Sequence, residues 1–346
     1  MKKRRQPRHK EVGQALITSL WILLMLTVIT ISIAHRTSIS LRLNCYQRDR
    51  LKAVYLAKAG INRAIKIIEN DTNSYDAPSE LWANNEEAFK KIALDEKGNE
   101  FAAVSYQDME KDSEPETIYG VIDEERKINI NTASCELLLT LLKESGIDQV
   151  EVENKVNNLL IWRGDKADDN KIYESLGYPP KGNKFSNLEE LKLVKDITYD
   201  YYQRLRNSIT VYGEGRVNIN TASSNVLTAL CRWAVDTLNK KGVSSVTYAH
   251  ADSLALKKID FRDGDDAVMV DDDTPFTDNS TITTALGGFK EGLSTEEETI
   301  INEIIVNFAV QSNNFLIAAT GNAGKIKSKV VVVYKRGGGI LYWHET

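Results

Sequence analysis

The sequence predicts an α+β protein in which a long N-terminal helix packs on a small antiparallel sheet, with a large, mainly α-helical domain inserted between the strands. Three observations carry that prediction. An uncharged twenty-residue run at 15–34 continues into a helical-period stripe that ends near Asn70. Strand-like runs fall in two groups far apart in the chain, near 100–122 and 314–335. Between them, an eight-residue segment recurs after 89 residues. At 346 residues, 42% hydrophobic and 27% charged, the chain is large enough for two domains, and collagen-like, disordered and disulfide-dense classes are excluded. Cys45, Cys135 and Cys231 supply at most one disulfide and no CxxC pair.

The N-terminal element comes first. Residues 1–13 carry Lys2, Lys3, Arg4, Arg5, Arg8 and Lys10 against Glu11, while the whole chain has a formal charge of −5. The body is therefore acidic, which argues against broad attraction to nucleic acid, because that binding rests on Lys and Arg neutralising phosphates. At about 1.5 Å per residue the apolar run reaches ~30 Å, the thickness of a bilayer's hydrocarbon core. It exceeds the ~7–15 apolar residues of a signal peptide and ends at Ala34-His35-Arg36 without a small-x-small site. The basic leader predicts a cytoplasmic N-terminus, although Arg36, Arg42, Arg48 and Arg50 reduce the charge asymmetry. Beyond the span, Leu51, Val54, Ile61, Ile65 and Ile68 predict a stripe that lies on the sheet. One helix over 14–70 would be roughly 85 Å long, ended by the polar run from Asn70 and by Pro78.

Strands are predicted at 101–106, 117–122, 314–320 and 325–335. The glycine-rich Gly321-Asn322-Ala323-Gly324-Lys325 joins the last two as a hairpin turn; it is not a phosphate loop, because Ala319 and Ile326 stand where that loop needs Gly and Ser or Thr. The repeat is Lys127-Ile128-Asn129-Ile130-Asn131-Thr132-Ala133-Ser134 and Arg216-Val217-Asn218-Ile219-Asn220-Thr221-Ala222-Ser223. Each copy reads as a short strand ending at an Asn that caps the next helix. The motif is similar to the start of helix-hairpin-helix DNA-binding modules, but neither Ser145-Gly146-Ile147-Asp148 nor Lys240-Lys241-Gly242-Val243-Ser244 supplies the Gly-apolar-Gly hairpin that holds a phosphate. His9, His35, His250 and His344 are scattered and form no catalytic motif.

Glu11-Val12-Gly13-Gln14-Ala15-Leu16-Ile17 resembles the leader of type IV prepilins and type II secretion pseudopilins, which is cut after the Gly. Counting Gln14 as first, the fifth residue is Thr18, where most subunits carry Glu. Ile122-Asp123-Glu124-Glu125-Arg126-Lys127-Ile128-Asn129-Ile130-Asn131-Thr132-Ala133 resembles the entry into an inserted helical domain, and Val310-Gln311-Ser312-Asn313-Asn314-Phe315 the return strand. With the absent Glu, the order of these features resembles the K-type minor pseudopilins over most of the chain except about 240–309.

That resemblance implies a pilin-like fold divided into a leader at 1–13, a transmembrane and amphipathic helix at 14–70, a sheet domain from 71–123 and 311–346, and an inserted helical domain at 124–310. It implies cleavage by the prepilin peptidase between Gly13 and Gln14, N-methylation of Gln14, and I- and J-type minor pseudopilins as partners. It also implies a single pass through the bacterial inner membrane with the C-terminal domain in the periplasm, and a non-enzymatic role at the pseudopilus tip in protein export. No nucleic acid is expected. Trp162 is followed by Asp165, Asp168 and Asp169, whose oxygens suit calcium, although spacing looser than the family's favours a solvated acidic loop. A second acidic stretch, with Asp263, Asp265, Asp266, Asp271, Asp272 and Asp273, lacks EF-hand spacing and reads as a loop. Two other readings share part of the pattern: a minor pilin of a type IV pilus or competence system, and a membrane-tethered helix-hairpin-helix DNA-binding protein.

Overall fold

A computed structural model describes residues 9–93, 98–108, 116–168, 171–264, 274–290 and 292–346. Helix α1 (His9–Glu69) is followed by the short α2 (Glu86–Phe89) and strands β1 (Ile92–Ala93), β2 (Glu100–Val104), β3 (Tyr106–Asp108), β4 (Glu116–Ile118) and β5 (Ile122–Asp123). The helical region contains β6 (Ile128–Asn129), α3 (Cys135–Glu144), α4 (Gln149–Arg163), α5 (Tyr199–Leu205) and β7 (Ile209–Thr210). It continues with β8 (Val217–Asn218), α6 (Ser224–Lys240), α7 (Tyr248–Asp263), α8 (Ile282–Gly287), α9 (Thr295–Ile304) and β9 (Phe308–Ala309). The chain returns through β10 (Asn314–Ala323), β11 (Ile326–Lys335) and β12 (Gly339–Glu345).

The main sheet is antiparallel in the order β1-β2-β10-β11-β12, with β5 pairing the start of β10. In the β10–β11 hairpin Ala323 faces Ile326, leaving Gly324 and Lys325 as the two turn residues. Gly324 has φ +62°, which a first turn residue without a Cβ adopts at no steric cost. The outer half of α1 crosses this sheet through a seam of small residues. Ala53, Ala57, Gly60 and Ala64 are buried with Ile61 and Ile68, and a Cβ on Gly321 of β10 would stand 1.9 Å from the Ala53 carbonyl oxygen. The predicted stripe is therefore displaced: Leu51 is 62% exposed, because so close an approach of helix and strand admits Ala and Gly where Leu would hold them apart. Strand β12, edge of the sheet, was not anticipated.

The helical region has its own core, built from residues between Ile128 and Phe308, separate from the core that joins α1 to the sheet. It is organised as two copies of one unit. In the first, β6 pairs in parallel with β7; in the second, β8 pairs in parallel with β9. Ser134 and Ser223 cap α3 and α6 by accepting from the N–H groups of Leu137 and Val226. The helix caps are thus the serines that end each repeat and not the asparagines, because the cap must immediately precede the first helical residue.

The asparagines instead hold backbone across each unit. Asn131 Oδ1 accepts from Phe185 N at 2.8 Å and its Nδ2 donates to Phe185 O at 3.0 Å. Asn220 does the same to Phe276, at 2.7 and 2.9 Å. An arginine at the end of the second helix completes the match: Arg163 Nη1 donates to Ile130 O and Ala133 O, and Arg262 Nη1 to Ile219 O and Ala222 O. The described residues between 240 and 309, a stretch that carries no recognisable motif, thereby complete the second unit.

Candidate functional site

The functional surface of the rod begins with Gly13, around which a side chain would meet open space. Gly13 and Gln14 both lie in helical backbone within α1, where glycine lowers the cost of unwinding the turn by about 1 kcal/mol relative to alanine. From Gly13, α1 is long and apolar enough to cross a membrane, and none of its apolar window is buried by the rest of the chain. Four of its hydroxyls bond back to the preceding turn. Thr18 Oγ1 donates to Gln14 O and Ala15 O, Ser19 to Leu16 O, Thr27 to Leu24 O and Thr30 to Leu26 O. Thr18, at the position where the K-type resemblance predicts no Glu, thus adds no unpaired group to an apolar phase.

At the other end of the rod, a buried polar junction joins the helical units to the sheet. Asp123, 2% exposed, is its centre. Its Oδ2 accepts from Thr221 Oγ1 at 2.5 Å, Ser312 Oγ at 2.7 Å and Asn218 Nδ2 at 3.0 Å, and its Oδ1 accepts from Glu125 N at 2.7 Å. Asn218 Nδ2 also donates to Asp76 O at 3.1 Å. Asp76 in turn accepts from Ser312 N at 2.7 Å and forms an ion pair of 2.7 Å with Arg336. Glu125 Oε1 accepts from Asn314 Nδ2 at 2.6 Å, while Glu124 pairs with Lys127 and accepts from Thr210 Oγ1, both at 2.7 Å. The acidic entry motif Asp123-Glu124-Glu125 with Lys127 is therefore a lock between the sheet and both helical units.

Burial governs the electrostatics of this lock. Desolvation pushes Asp76 up to about 7, against the opposing pull of Arg336 and the Ser312 N–H. Burial likewise raises Asp123, despite four hydrogen bonds that favour its charged form, and raises Glu125. The carboxylates of Asp71, Asp76 and Glu80 lie within 4.8 Å of one another. Arg336 binds the first two, and Glu80 accepts from Ala77 N, Trp82 Nε1 and Asn73 Nδ2, so each carboxylate is hydrogen-bonded from within the chain.

Position along the strands fixes where the helical region leaves the sheet. Gly321, late in β10, meets Ala53 and Ala57 of α1, whereas Tyr334, paired with Phe315 early in β10, bonds Glu69 at the end of α1. Asp123 pairs with Phe315. Both ends of the helical region thus meet the sheet at the edge farthest from the apolar half of the rod.

Of the residues read as calcium donors, Asp165 is ion-paired with Arg163. Asp168 turns its two oxygens onto the N–H groups of Ile172 at 2.6 Å and Tyr173 at 3.2 Å. These two do not form a ready cage, and Asp169 lies outside the described residues. So do Asp265, Asp266, Asp271, Asp272 and Asp273 of the second acidic stretch, while Asp263 pairs with Arg262. Cys45, Cys135 and Cys231 are free thiols. The junction was not foreseen as a unit: the acidic motif and the second Asn repeat were visible in sequence, but Asp76, Ser312 and Arg336 carry no local signal.

No protein-family model matches the chain. Among curated proteins, type II secretion system protein K of Pseudomonas aeruginosa PAO1 is 25% identical over 240 residues, covering 64% of this chain and 69% of that protein. The chain resembles the K subunit of type II secretion systems. Among solved structures, a chain in the crystal structure of the GspK-GspI-GspJ complex from the enterotoxigenic Escherichia coli type 2 secretion system matches with a TM-score of 0.59 at 14% identity, covering 89% of this chain and 99% of that one. The fold is therefore shared with that K-like architecture. Both the motif-based resemblance and the α+β class, a long helix on a small antiparallel sheet with a helical insertion, are borne out.

Proposed function

We propose that this chain is a minor pseudopilin of a type II secretion system, seated at the pseudopilus tip and taking part in protein export across the outer membrane. The observation that carries the reading is the departure of both ends of the helical region from the sheet edge remote from the apolar rod. In a filament held together by its rods, contacts of that head-to-tail kind propagate unless something stops them; a double helical unit on the outer end stands in the way of the next subunit. The role is structural, and its proposed partners are the I- and J-type minor pseudopilins.

The same reading gives the rod its chemistry. The prepilin peptidase cuts between Gly13 and Gln14, the new Gln14 amine is methylated, and α1 spans the inner membrane once with the head in the periplasm. Mass spectrometry of the mature chain tests this directly: a start at N-methylated Gln14 is expected, and an intact residue 1 or a start near residue 35 overturns it. Co-expression with I- and J-type subunits tests the partners, a stable three-chain complex being expected and a chain that elutes alone counting against it. Calcium at Asp165, Asp168 and Asp169 is a separate proposal that requires Asp165 to leave Arg163; it predicts a calcium-dependent rise in Tm that Asp168→Asn removes.

A further inference from the structure

Inside the second helical unit lies a contact that neither the junction nor the rod uses. Cys231 on α6 and Lys258 on α7 are 0% and 1% exposed, and Lys258 Nζ approaches Cys231 Sγ to 3.3 Å. Among the described residues that sulfur is the only polar atom bonded to the amine, and the face of Phe308 lies 4.4 Å from Nζ to the ring centroid. A lysine buried without a carboxylate is costly as an ammonium ion, so it tends to give up its proton. Burial lowers Lys258 and raises the Cys231 thiol, so desolvation favours the uncharged form of each. A neutral amine is a nucleophile toward oxidised sulfur, which condenses with nitrogen.

We propose that Cys231 and Lys258 form an oxidation-dependent covalent cross-link, Sγ–O–Nζ, that ties α6 to α7. The oxidant is dioxygen, which is small and apolar enough to enter a packed core from which charged reagents are excluded. One amine, one thiol and one O2 give the bridge and one water. The S–H bond and one N–H bond break, S–O and O–N bonds form, and the two released hydrogens leave with the second oxygen atom. Sulfur and nitrogen each lose two electrons, and dioxygen gains four. The 3.3 Å gap is nearer to the span of two bonds through an inserted atom than to a single N–S bond, which favours the oxygen bridge over direct condensation.

The test is intact-mass and peptide mass spectrometry of the full chain in detergent, prepared once in air and once anaerobically with a phosphine reductant. The air-exposed sample is expected to gain one oxygen and lose two hydrogens, and to yield a digest product joining the Cys231 and Lys258 peptides. Cys231 then resists alkylation after unfolding, and the phosphine reverses the change. Cys231→Ser and Lys258→Met each abolish the shift. Because the wild-type measurement needs no variant, a variant that fails to fold leaves the test standing. Unmodified side chains after oxygen exposure overturn the proposal, as does oxidised Cys231 beside a free Lys258 or a loss of two hydrogens without added oxygen.

Discussion

Replacing Gly321 by alanine tests the seam that fixes the head on the rod. The added Cβ would stand 1.9 Å from the Ala53 carbonyl oxygen and 2.7 Å from the Ala57 nitrogen, both helix backbone, where ordinary contact begins at 3.4 Å. No rotamer relieves the clash, so α1 must withdraw from β10 by about 1.5 Å. A withdrawal of that size loosens a seam made of residues too short to follow it. Overpacking of this kind costs ~1–3 kcal/mol, and an obstacle made of backbone belongs at the upper end. Alanine recovers ~0.5–1 kcal/mol of strand propensity, leaving a net loss of about 2 kcal/mol. For a protein of this size that corresponds to a fall in Tm of roughly 3 °C. Trp82 is the natural reporter, since its ring meets Phe315 edge-on at 5.1 Å within the same core. Its unfolding is followed in detergent with Trp21, Trp162, Trp233 and Trp343 replaced by Phe. A Gly321→Ala midpoint within about 1 °C of the parent would refute the close-packed seam. Gly324→Ala is the contrast, with open space around it but φ +62°, and should cost only about 1 kcal/mol.

The junction and the repeated units give three more tests. Asp76 holds its proton in the folded state up to about 7, whereas its ordinary value is 3.8; its contribution therefore favours folding at the acid end and is lost as pH rises from 3.8 to about 7. Comparing Tm at pH 5.5 and 7.5, the drop should be smaller in Asp76→Asn than in the wild type, and an unchanged difference would count against the assignment. Asn218→Ala strips a donor from Asp123 and should cost about 3 kcal/mol, with faster hydrogen exchange at β5 and the start of β10; Asn129→Ala should confine its exchange changes to the neighbourhood of Tyr212 and Gly213. Arg163→Ala leaves the Ile130 and Ala133 carbonyls without this donor and should cost about 3 kcal/mol by urea titration, and adding Arg262→Ala should roughly double the loss because the two clamps share no partner.

Much of this architecture was legible in the chain because periodicity reports it. The uncharged run, the two long C-terminal strands and the two Asn-Thr-Ala-Ser segments each appear where expected, whereas the run at 117–122 divides into β4, which pairs only with β3, and β5, which joins the main sheet. The seam was misread because Ala and Gly contribute little to hydropathy, so Leu51 and Val54 outweighed Ala53 and Ala57 in any sequence reading. Strand β12 was hidden by Gly337-Gly338-Gly339 and by the exposure of Ile340, Leu341 and Trp343, an edge strand whose register shifts opposite Val333 and Tyr334. The second unit was hidden for another reason. Its likeness to the first lies in backbone partnerships, Asn220 with Phe276 and Arg262 with Ile219 and Ala222, whose spacing drifts from that of Asn131 with Phe185 and Arg163 with Ile130 and Ala133. For the junction, the acidic motif was visible, but its partners come from Asp76, Asn218, Ser312 and Arg336, and only tertiary structure brings these together.

Asp123 and Phe315 are directly paired, so the whole helical region opens and closes at one stitch of the sheet. Topologically it is a bead on a clasp. The entropy lost on closing such a loop grows only with the logarithm of its length, so the sheet senses little of how much chain hangs from it. A bead of two units rather than one therefore asks little more of the stem that carries it.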